Sequence, residues 1–360
     1  MSNHFWRGKK VFITGHNGFK GSWLTIWLNR MGAELYGYSL ATPDNEPNMF
    51  DLTLLSSAIN TTIGDVRDQK ALRDAMVKAQ PDIVFHMAAQ PLVRESYRTP
   101  ADTFATNVMG TVNLLEAVRA VPDIRSVVVI TSDKCYENRE WLWGYREDNP
   151  MGGHDPYSAS KGAAELVAAS YRRSFFNGSG DNQTALATVR AGNVIGGGDF
   201  APDRLVPDII RALIRRESVT IRNPNAVRPW QFVLEPLRGY LNIAQHLYES
   251  GQDYAEGWNF GPTETDAQTV AQICATLNHS LQTYDVGTVD IKLEKAPLDL
   301  HEAAMLRLDI SKARQRLDWI PKMELYTALE LTADWYATYL RKGDLRARSE
   351  AHIEFFQKVA

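Results

Sequence analysis

The chain has 360 residues, and its 39 lysines and arginines against 43 aspartates and glutamates give a formal charge of −4. A charge this close to neutral excludes a general electrostatic attraction to nucleic acids or anionic membranes. The length suffices for one large α/β unit with a smaller lobe beside it. Two cysteines occur, in no metal-ligand spacing, and no segment has the apolar length of a signal core or membrane span. We therefore expect a cytoplasmic protein without a metal site.

The first predicted elements are a buried strand over residues 10–14 and a helix over 22–31, joined by a glycine-rich turn. Three glycines give this turn the spacing G-x-x-G-x-x-G. In a strand–turn–helix unit, such glycines let bare backbone N–H groups and a helix N-terminus meet a pyrophosphate. An ordinary tight turn is the alternative, and the strand–helix context favours dinucleotide binding over it. The predicted cofactor-binding residues here are Gly15, His16, Asn17, Gly18, Phe19 and Gly21.

The second predicted strand, over residues 34–40, does not decide between NAD and NADP. An acidic residue near the end of this strand commonly binds the adenine ribose of NAD. Ser39, Ala41 and Thr42 occupy that place, and no arginine stands there for a 2′-phosphate. The choice of dinucleotide is left open by this element.

Strands and helices then alternate in the pattern of a doubly wound parallel sheet, the Rossmann arrangement. A helix over 69–79, a strand over 81–90, a helix over 102–120 and a strand over 127–131 follow one another. Polar residues at the carboxyl end of such a strand face the ligand crevice. Ser132, Asp133 and Lys134 are therefore site candidates.

Two further segments are compatible with cofactor contact. Asp65 could accept a hydrogen bond from an adenine amine, and an exposed turn acid is the alternative. The small side chains of Ala88 and Ala89 could let a cofactor approach the backbone closely, or these residues could simply form a tight end to the strand.

A helix that begins after Asp155 carries Tyr157 and Lys161, which are four residues apart and so share one face. An ammonium group near a phenol favours the phenolate, so the pair predicts a tyrosine with a lowered pKa that takes a proton from an alcohol. Alone, this spacing is more typical of a surface pair. The strands and glycine turn before it favour the catalytic role.

Beyond a strand at 185–190 the predicted elements become irregular. Helices are expected over 206–216, 237–250, 267–279, 310–317 and 326–341, with strands over 219–221, 227–233 and 258–262. We predict a dinucleotide-binding domain over residues 1–190. Residues 191–360 are expected to form mainly a smaller C-terminal substrate-binding α/β lobe, with some segments returning to the first domain. Arg204, Arg222 and Arg228 could grip phosphates there, with surface charge as the alternative.

Several motifs together resemble a known family. They are Thr14-Gly-x-x-Gly-Phe-x-Gly21, His86-x-Ala-Ala-Gln90, Asn107, Ser132, Tyr157-x-x-x-Lys161 and Arg190-x-x-Asn193. This set resembles the extended short-chain dehydrogenase/reductases that act on nucleotide sugars. A narrower set is similar to the CDP-glucose 4,6-dehydratases: Gln90-Pro-Leu-Val-Arg-Glu-Ser96, Thr131-Ser-Asp-Lys-Cys-Tyr136, Trp141-x-Trp-Gly-Tyr145 and Gly152-Gly-x-Asp-Pro-Tyr157. The likeness spans nearly the whole chain.

The resemblance implies bound NAD, CDP-glucose as substrate and a redox cycle that consumes no cofactor. Tyr157 would take the C4 hydroxyl proton while hydride leaves C4, Ser132 would hydrogen-bond the C4 oxygen, and Lys161 would hold the nicotinamide ribose. Removal of the C5 hydrogen, loss of the C6 hydroxyl as water and return of hydride to C6 would give CDP-4-keto-6-deoxy-D-glucose. Such products serve deoxysugar and O-antigen lipopolysaccharide biosynthesis.

The resemblance also implies contacts that the residue patterns alone do not specify. Further cofactor contacts are implied for Asp65, Val66, Ala88, Ala89 and Asn107, and substrate contacts for Arg94, Arg190, Asn193 and His301. A homodimer through the helices at 102–120 and 157–176 is expected from the family, although their apolar stripes could equally be core.

Two departures from related enzymes matter. The dTDP-glucose dehydratases place an Asp-Glu pair after the catalytic hydroxyl residue, whereas this chain has Asp133-Lys134. Lys134 would then be the C5 base as a neutral amine, and a protonated Asp133 would donate to the departing hydroxyl. A solvated loop pair is the alternative. In the glycine turn, His16 and Lys20 stand beside the predicted pyrophosphate and leave the tightness of NAD binding open.

Two other functions compete with the dehydratase. A nucleotide-sugar 4-epimerase on the same scaffold needs Tyr157 and Lys161 but neither a C5 base nor a C6 acid, so the Asp133-Lys134 pair disfavours it. A catalytically silent NAD-binding regulator has no physical need for Ser132, Tyr157 and Lys161 together.

Overall fold

A computed structural model describes residues 3–44, 46–178, 183–221, 223–263, 267–294 and 305–359. The first half of the chain contains, in order, α1 (Asn3–Trp6), β1 (Lys10–Thr14), α2 (Phe19–Arg30), β2 (Glu34–Ser39), α3 (Met49–Leu52), β3 (Asn60–Ile63), α4 (Gln69–Ala79), β4 (Ile83–His86), α5 (Val93–Arg98), α6 (Pro100–Phe104), α7 (Gly110–Arg119), β5 (Ser126–Ile130), α8 (Pro156–Ser174) and β6 (Ala185–Ala191). Short 3₁₀ turns lie at Leu55–Ser57 and Asp133–Cys135, and a π-helical turn spans Ala105–Met109.

The second half contains, in order, β7 (Asn193–Ile195), α9 (Leu205–Arg215), β8 (Val219–Ile221), β9 (Val227–Phe232), α10 (Leu234–Ser250), β10 (Gly257–Phe260), β11 (Ala267–Thr269), α11 (Val270–Thr283), β12 (Ile291–Leu293), α12 (Ser311–Leu317), α13 (Leu325–Leu340) and α14 (Leu345–Lys358). A 3₁₀ turn at Gly251–Tyr254 follows α10.

The described residues form a central sheet of seven parallel strands in the order β10-β6-β5-β4-β1-β2-β3. The chain runs outward from β1 through β2 and β3, then returns to build the other side from β4 onward. This reversal beside β1 opens a crevice at the carboxyl ends of the strands, where open α/β sheets bind ligands. The predicted doubly wound Rossmann sheet is confirmed.

Both faces of the sheet are covered near its centre, which is why the inner strands β1, β4 and β5 are almost continuously apolar. Along β1, Val11 and Ile13 pack on one side with α2 and α10, while Phe12 packs on the other with α4 and α7. All five residues of β5 are buried. The layered packing makes the strand ends a rigid platform for the residues that follow them.

The second half of the chain builds a smaller layer and also completes the main sheet. β7, β9 and β11 form a three-stranded sheet, and β8 pairs with β12. β10 pairs in parallel with β6 and so belongs to the main sheet. Helix α14 packs on α2, with Phe356 against Trp27.

Several elements differ from the sequence-based expectations, among them three helices. The helix predicted over 267–279 begins at Val270, because Thr269 and Gln272 form a capping box at that point. The helix predicted over 102–120 begins at Pro100 and is interrupted by the π-helical turn around Asn107. Helix α14 has no counterpart among the predicted elements.

Candidate active site

One large cavity of about 1730 Å³ opens at the carboxyl ends of the central strands. It collects residues that lie far apart in the sequence. The predicted site residues that line it are Gly15, Asn17, Gly18, Phe19, Gly21, Val66, Ala88, Ala89, Arg94, Ser132, Asp133, Lys134, Tyr157, Lys161, Asn193, Arg204 and Arg228. Arg222 and His301 lie outside the described residues.

The glycine turn has the form of a phosphate cradle. Gly15 has φ +69°, and a Cβ there would lie 2.7 Å from the backbone nitrogen of Ala88. A Cβ at Gly21 would lie 2.2 Å from the Gly15 carbonyl oxygen. Gly18 is the N-cap of α2, and no side chain caps the helix. The first N–H groups of α2 are therefore available to an anionic ligand, which fits a dinucleotide pyrophosphate.

His16 is turned away from the cavity, contrary to its predicted place beside the cofactor. Its ring is fully buried, with Nδ1 3.2 Å from Ser39 Oγ and Nε2 3.1 Å from Thr61 Oγ1. It also packs edge-on against Phe50. Burial lowers the pKa of His16 to about 4, so the ring is neutral at pH 7. His16 thus braces the ends of β2 and β3.

Two other predicted cofactor contacts, Asp65 and Asn107, are not among the residues that line the cavity. Asp65 forms an ion pair with Arg67 at 2.6 Å, and this partner lowers the pKa of the carboxyl. Asn107 accepts a hydrogen bond from the Gln90 backbone N–H at 2.8 Å and donates to Ser160 Oγ at 2.8 Å. Asn107 therefore joins the segment after β4 to α8, and the structure gives it a positioning role.

Helix α8 presents Tyr157 and Lys161 to the cavity because its start is firmly fixed. Asp155 is the N-cap, and its carboxylate accepts hydrogen bonds from the Ser158 backbone N–H at 2.9 Å and the Ser158 hydroxyl at 2.6 Å. The Tyr157 phenol lies beside the Ser132 side chain, which acts to lower the Tyr157 pKa. Lys161 Nζ donates to the Ile130 carbonyl at 3.4 Å. The hydroxyl, phenol and amine thus meet at the carboxyl end of β5.

The pKa of Tyr157 departs from the sequence-based expectation. Burial raises this pKa to about 12, while the neighbouring Ser132 hydroxyl and the charge of Arg204 act in the opposite direction. Burial and the charge of Lys20 lower the pKa of Lys161 to about 8. In the protein alone Tyr157 is therefore a neutral phenol, and additional positive charge in the cavity would favour its phenolate.

The Asp133-Lys134 pair lies in the one-turn helix directly after Ser132. Asp133 is buried, with Oδ1 2.9 Å from Ser132 Oγ. A Cβ at Gly192 would lie 3.1 Å from Asp133 Oδ2, so this glycine makes room for the carboxyl. Lys134 is half-buried and lines the cavity. The pair faces the same space as Tyr157, as its position after β5 predicts.

The predicted substrate arginines have different surroundings. Arg204 lines the cavity and pairs with Asp199 at 2.8 Å, and Arg94 pairs with Asp203 at 3.3 Å. Arg190, in contrast, is buried away from the cavity in an ion pair with Glu165 at 2.8 Å. Arg190 is therefore structural here rather than a substrate contact.

Lys20 is a cavity residue whose charged neighbours the sequence did not reveal. It follows Phe19 in the first turn of α2 and lines the same cavity as Lys161 and Asp133. In the sequence, the position of Lys20 in the glycine turn indicated only that it lies near the predicted pyrophosphate. The tertiary fold brings its charge close to Asp133 and Lys161.

Neither a metal site nor a membrane-spanning helix is present in the part of the chain that the structure describes. No group of three or more histidines, cysteines, aspartates or glutamates there is placed to hold a metal ion. Likewise, none of the described helices combines the length and the apolar character needed to cross a bilayer.

Comparison with known proteins identifies relatives across the full length. Residues 12–332 match the family model described as GDP-mannose 4,6 dehydratase. The CDP-glucose 4,6-dehydratase of Salmonella typhimurium is 51% identical over 361 residues, covering 100% of this chain and 99% of the relative. A dTDP-glucose 4,6-dehydratase of Xanthomonas campestris pv. campestris is 26% identical over 284 residues, covering 76% and 78% of the two chains.

Solved structures share the fold at lower sequence identity. The UDP-glucose 4-epimerase of Thermotoga maritima, with UDP-glucose, superposes with a TM-score of 0.75 at 22% identity, covering 92% of this chain and 99% of that one. The dTDP-glucose 4,6-dehydratase DesIV of Streptomyces venezuelae, with NAD and TYD bound, gives a TM-score of 0.74 at 22% identity, covering 93% and 98%.

We predict that Gly18→Val folds but loses NAD binding. At Gly18 a Cβ would lie 3.4 Å from the Gly15 oxygen, an ordinary contact, whereas side chains at Gly15 and Gly21 would strike backbone. The valine would instead fill the space in which a pyrophosphate meets α2. Calorimetric titration with NAD measures the loss, and Gly18→Ala should show a smaller one. If folded Gly18→Val protein bound NAD with wild-type affinity, the glycine turn would not be part of the cofactor site.

Proposed function

This chain belongs to the GDP-mannose 4,6 dehydratase family, and we propose that it converts CDP-D-glucose to CDP-4-keto-6-deoxy-D-glucose. The full-length 51% identity to a CDP-glucose 4,6-dehydratase carries the proposal. It is supported by the convergence of Ser132, Tyr157, Lys161 and the Asp133-Lys134 pair on one cavity. We infer that the product supplies deoxysugars for O-antigen lipopolysaccharide.

NAD is the proposed cofactor, because the cradle and the catalytic residues line one continuous cavity. Gly15, Gly18 and Gly21 would hold its pyrophosphate with backbone donors, and Lys161 its nicotinamide ribose. When bound, NAD supplies a reversible hydride acceptor, so that oxidation at C4 and reduction at C6 cancel. The remaining steps depend on side chains of this protein.

Tyr157 and Ser132 act on the sugar C4 hydroxyl. The Tyr157 oxygen would be the proton acceptor, and the Ser132 hydroxyl beside it would hydrogen-bond the C4 oxygen. Because burial raises the pKa of Tyr157 to about 12, its phenolate requires cationic neighbours when the site is filled. Proton transfer from the C4 hydroxyl then accompanies loss of the C4 hydrogen and leaves a C4 ketone.

The C4 ketone acidifies the C5 hydrogen, and the Asp133-Lys134 pair then eliminates water. Lys134 lines the cavity and, as a neutral amine, would remove the C5 proton. Asp133 is buried beside Ser132 and, when protonated, would donate to the departing C6 hydroxyl. An acid and a base on adjacent residues suit elimination across two adjacent carbons.

The diphosphate of the substrate would be held by arginines from both halves of the chain. Arg204 and Arg228 line the cavity, and Arg94 reaches it from α5. Guanidinium groups bind phosphate oxygens by paired, charge-assisted hydrogen bonds. Asn193, at the start of β7, lies at the same wall and would add a neutral polar contact.

A 4-epimerase is the second candidate, because the Thermotoga maritima epimerase shares the fold. That likeness, at 22% identity, concerns the fold alone. An epimerase needs no acid–base pair beside Ser132, whereas this cavity contains Asp133 and Lys134. The dehydratase therefore accounts for more of the site, and a silent NAD-binding regulator accounts for less.

We propose a homodimer formed through α6, α7 and α8. These helices pack side by side. Helices α6 and α8 and the π-helical turn leave apolar side chains exposed. The exposed fractions are 39% for Phe104, 51% for Met109 and 62% for Leu166. Both free cysteines, Cys135 and Cys274, are buried thiols, which suits the proposed location in a reducing cytoplasm.

We predict that wild-type protein with NAD and CDP-glucose forms a 4-keto sugar, seen by its absorbance in alkali. Tyr157→Phe keeps the ring but removes the proton acceptor, so hydride transfer should slow by a factor on the order of 10² to 10⁴. Single-turnover appearance of NADH absorbance measures that step. A wild-type rate in Tyr157→Phe would show that the tyrosine is structural, and product without a 4-keto group would favour the epimerase.

Lys134→Met should separate oxidation from elimination. The variant keeps the length of the side chain and the Tyr157 site, so it should oxidise C4 but stall there. We expect NADH and a 4-keto-glucose nucleotide to accumulate, without exchange of the C5 hydrogen in deuterated water. Mass spectrometry of the nucleotide sugar measures that exchange. Rapid C5 exchange with normal product formation would identify some other group as the base.

The dimer should dissociate in Leu166→Glu, because a carboxylate would be buried in an apolar interface. Sedimentation velocity at micromolar protein measures the change in mass. Ile320→Glu is the matched control, since Ile320 is 47% exposed in the segment between α12 and α13. A dimer that survives Leu166→Glu would place the interface elsewhere.

A further inference from the structure

Tyr240, in helix α10, has a buried hydroxyl that the proposed reaction has not yet used. The residue is fully buried, and its ring packs edge-on against Phe260 of β10 with 6.1 Å between the ring centroids. The hydroxyl oxygen has no hydrogen-bond partner among the residues that the structure describes. A buried hydroxyl without a partner costs free energy, and proteins usually satisfy such groups with a side chain or an ordered water.

The Tyr240 side chain lies close to the turn that carries Asp133. Helix α10 packs against β5, and Asp133 stands in the turn that directly follows β5. Burial raises the pKa of Tyr240 well above its ordinary value, and the neighbouring Tyr157 and Asp133 act in the same direction. The phenol is therefore neutral at pH 7 and keeps its proton for a hydrogen bond. Tyr240 is not among the residues that line the cavity, so it would act on the substrate through another residue.

The Asp133 carboxyl has room for a further hydrogen bond. Its Oδ1 accepts from the Ser132 hydroxyl at 2.9 Å. Gly192 has no side chain to crowd Oδ2, since a Cβ there would lie 3.1 Å from this oxygen. A water that joins two buried polar groups needs space and at least two polar partners. Asp133 Oδ2 and the Tyr240 hydroxyl supply such a pair.

We propose that Tyr240 positions the Asp133 carboxyl for the elimination step, through a buried water held between the Tyr240 hydroxyl and Asp133 Oδ2. This inference rests on the proposed function, in which Asp133 donates to the departing C6 hydroxyl. Tyr240 is a positioning residue, because it acts through Asp133 and contacts neither the substrate nor the cofactor.

The hydroxyl contributes most when Asp133 loses its proton. Lys134 takes the C5 proton, the electron pair of that C–H bond forms the C5–C6 double bond, and the C6–O bond breaks. The Asp133 proton joins the departing hydroxyl to form water, which leaves a carboxylate. Because Asp133 is buried, this charge is costly unless hydrogen-bond donors face it. Ser132 provides one donor, and the water held by Tyr240 provides another as the charge develops.

Tyr240→Phe should slow elimination and leave oxidation at C4 nearly unchanged. In a single turnover with NAD and CDP-glucose, we expect NADH to appear at the wild-type rate. Formation of the 4-keto-6-deoxy product should slow by a factor of about 10 to 100, so a 4-keto-glucose nucleotide accumulates. CDP-6-deoxy-D-glucose has no C6 hydroxyl, and both proteins should oxidise it equally fast. Equal slowing of oxidation and elimination would overturn the inference.

Tyr248→Phe is the matched control for this experiment. Tyr248 lies in the same helix, and its hydroxyl accepts a hydrogen bond from Lys9 at 3.1 Å. It is not among the residues that line the cavity. This variant loses a phenol hydroxyl from α10 and should keep the wild-type ratio of the oxidation and elimination rates.

Thermal unfolding of the protein alone tests the contact without any reaction. Tyr240→Phe should lower the unfolding midpoint by about 1 to 4 °C, as for loss of one buried hydrogen bond. In an Asp133→Ala background the same change should have almost no effect. An equal shift in both backgrounds, or a higher midpoint in Tyr240→Phe, would overturn the inference. Failure of the proposed function is distinguishable, because wild-type protein would then leave CDP-glucose unchanged whatever the unfolding midpoints are.

Discussion

The site depends on one buried ion pair, between Glu165 and Arg190. Arg190 donates through Nε and Nη2, each at 2.8 Å, and the Glu165 carboxylate also accepts from Thr131 at 2.5 Å and Thr188 at 2.6 Å. Burying two charges is costly unless every polar atom is satisfied, and here the remaining oxygen sites are filled. Removal of one partner from such a pair typically costs about 3–5 kcal/mol. The pair therefore ties α8 to the ends of β5 and β6.

The Glu165–Arg190 pair holds in place the turn that carries Ser132, Asp133 and Lys134. Glu165 is one helical turn after Lys161, so the same helix carries both the anchor and the lysine proposed to hold the nicotinamide ribose. Arg190 also donates a hydrogen bond to the Tyr136 hydroxyl, and this hydroxyl donates one to Asn259 in β10. Ser132, Asp133 and Lys134 lie between Thr131 and Tyr136, so the network holds both ends of the segment that carries them. Rigid support at both ends suits the proposed roles of Asp133 and Lys134 as acid and base at adjacent carbons.

Local patterns in the sequence predicted what depends on local structure. The glycine turn, the Tyr157–Lys161 spacing and the buried strands are set by neighbours in the chain, and all three occur as predicted. The role of Arg190 depends on Glu165, and that of His16 on Ser39 and Thr61, so neither could be read from nearby residues. The charge around Lys20 and the raised pKa of Tyr157 likewise arise only from tertiary packing.

The place of β10 in the main sheet bears on how the chain is made. Residues 257–260 form the edge strand beside β6, and a Cβ at Gly257 would lie 2.5 Å from Arg190 Nη2. During synthesis, β6 therefore emerges well before the strand that covers its outer edge, and a stretch of more than sixty residues separates them. Until β10 arrives, β6 presents unpaired backbone groups of the kind that invite misassembly. Most of the chain must therefore emerge from the ribosome before β10 can pair with β6 and complete the main sheet.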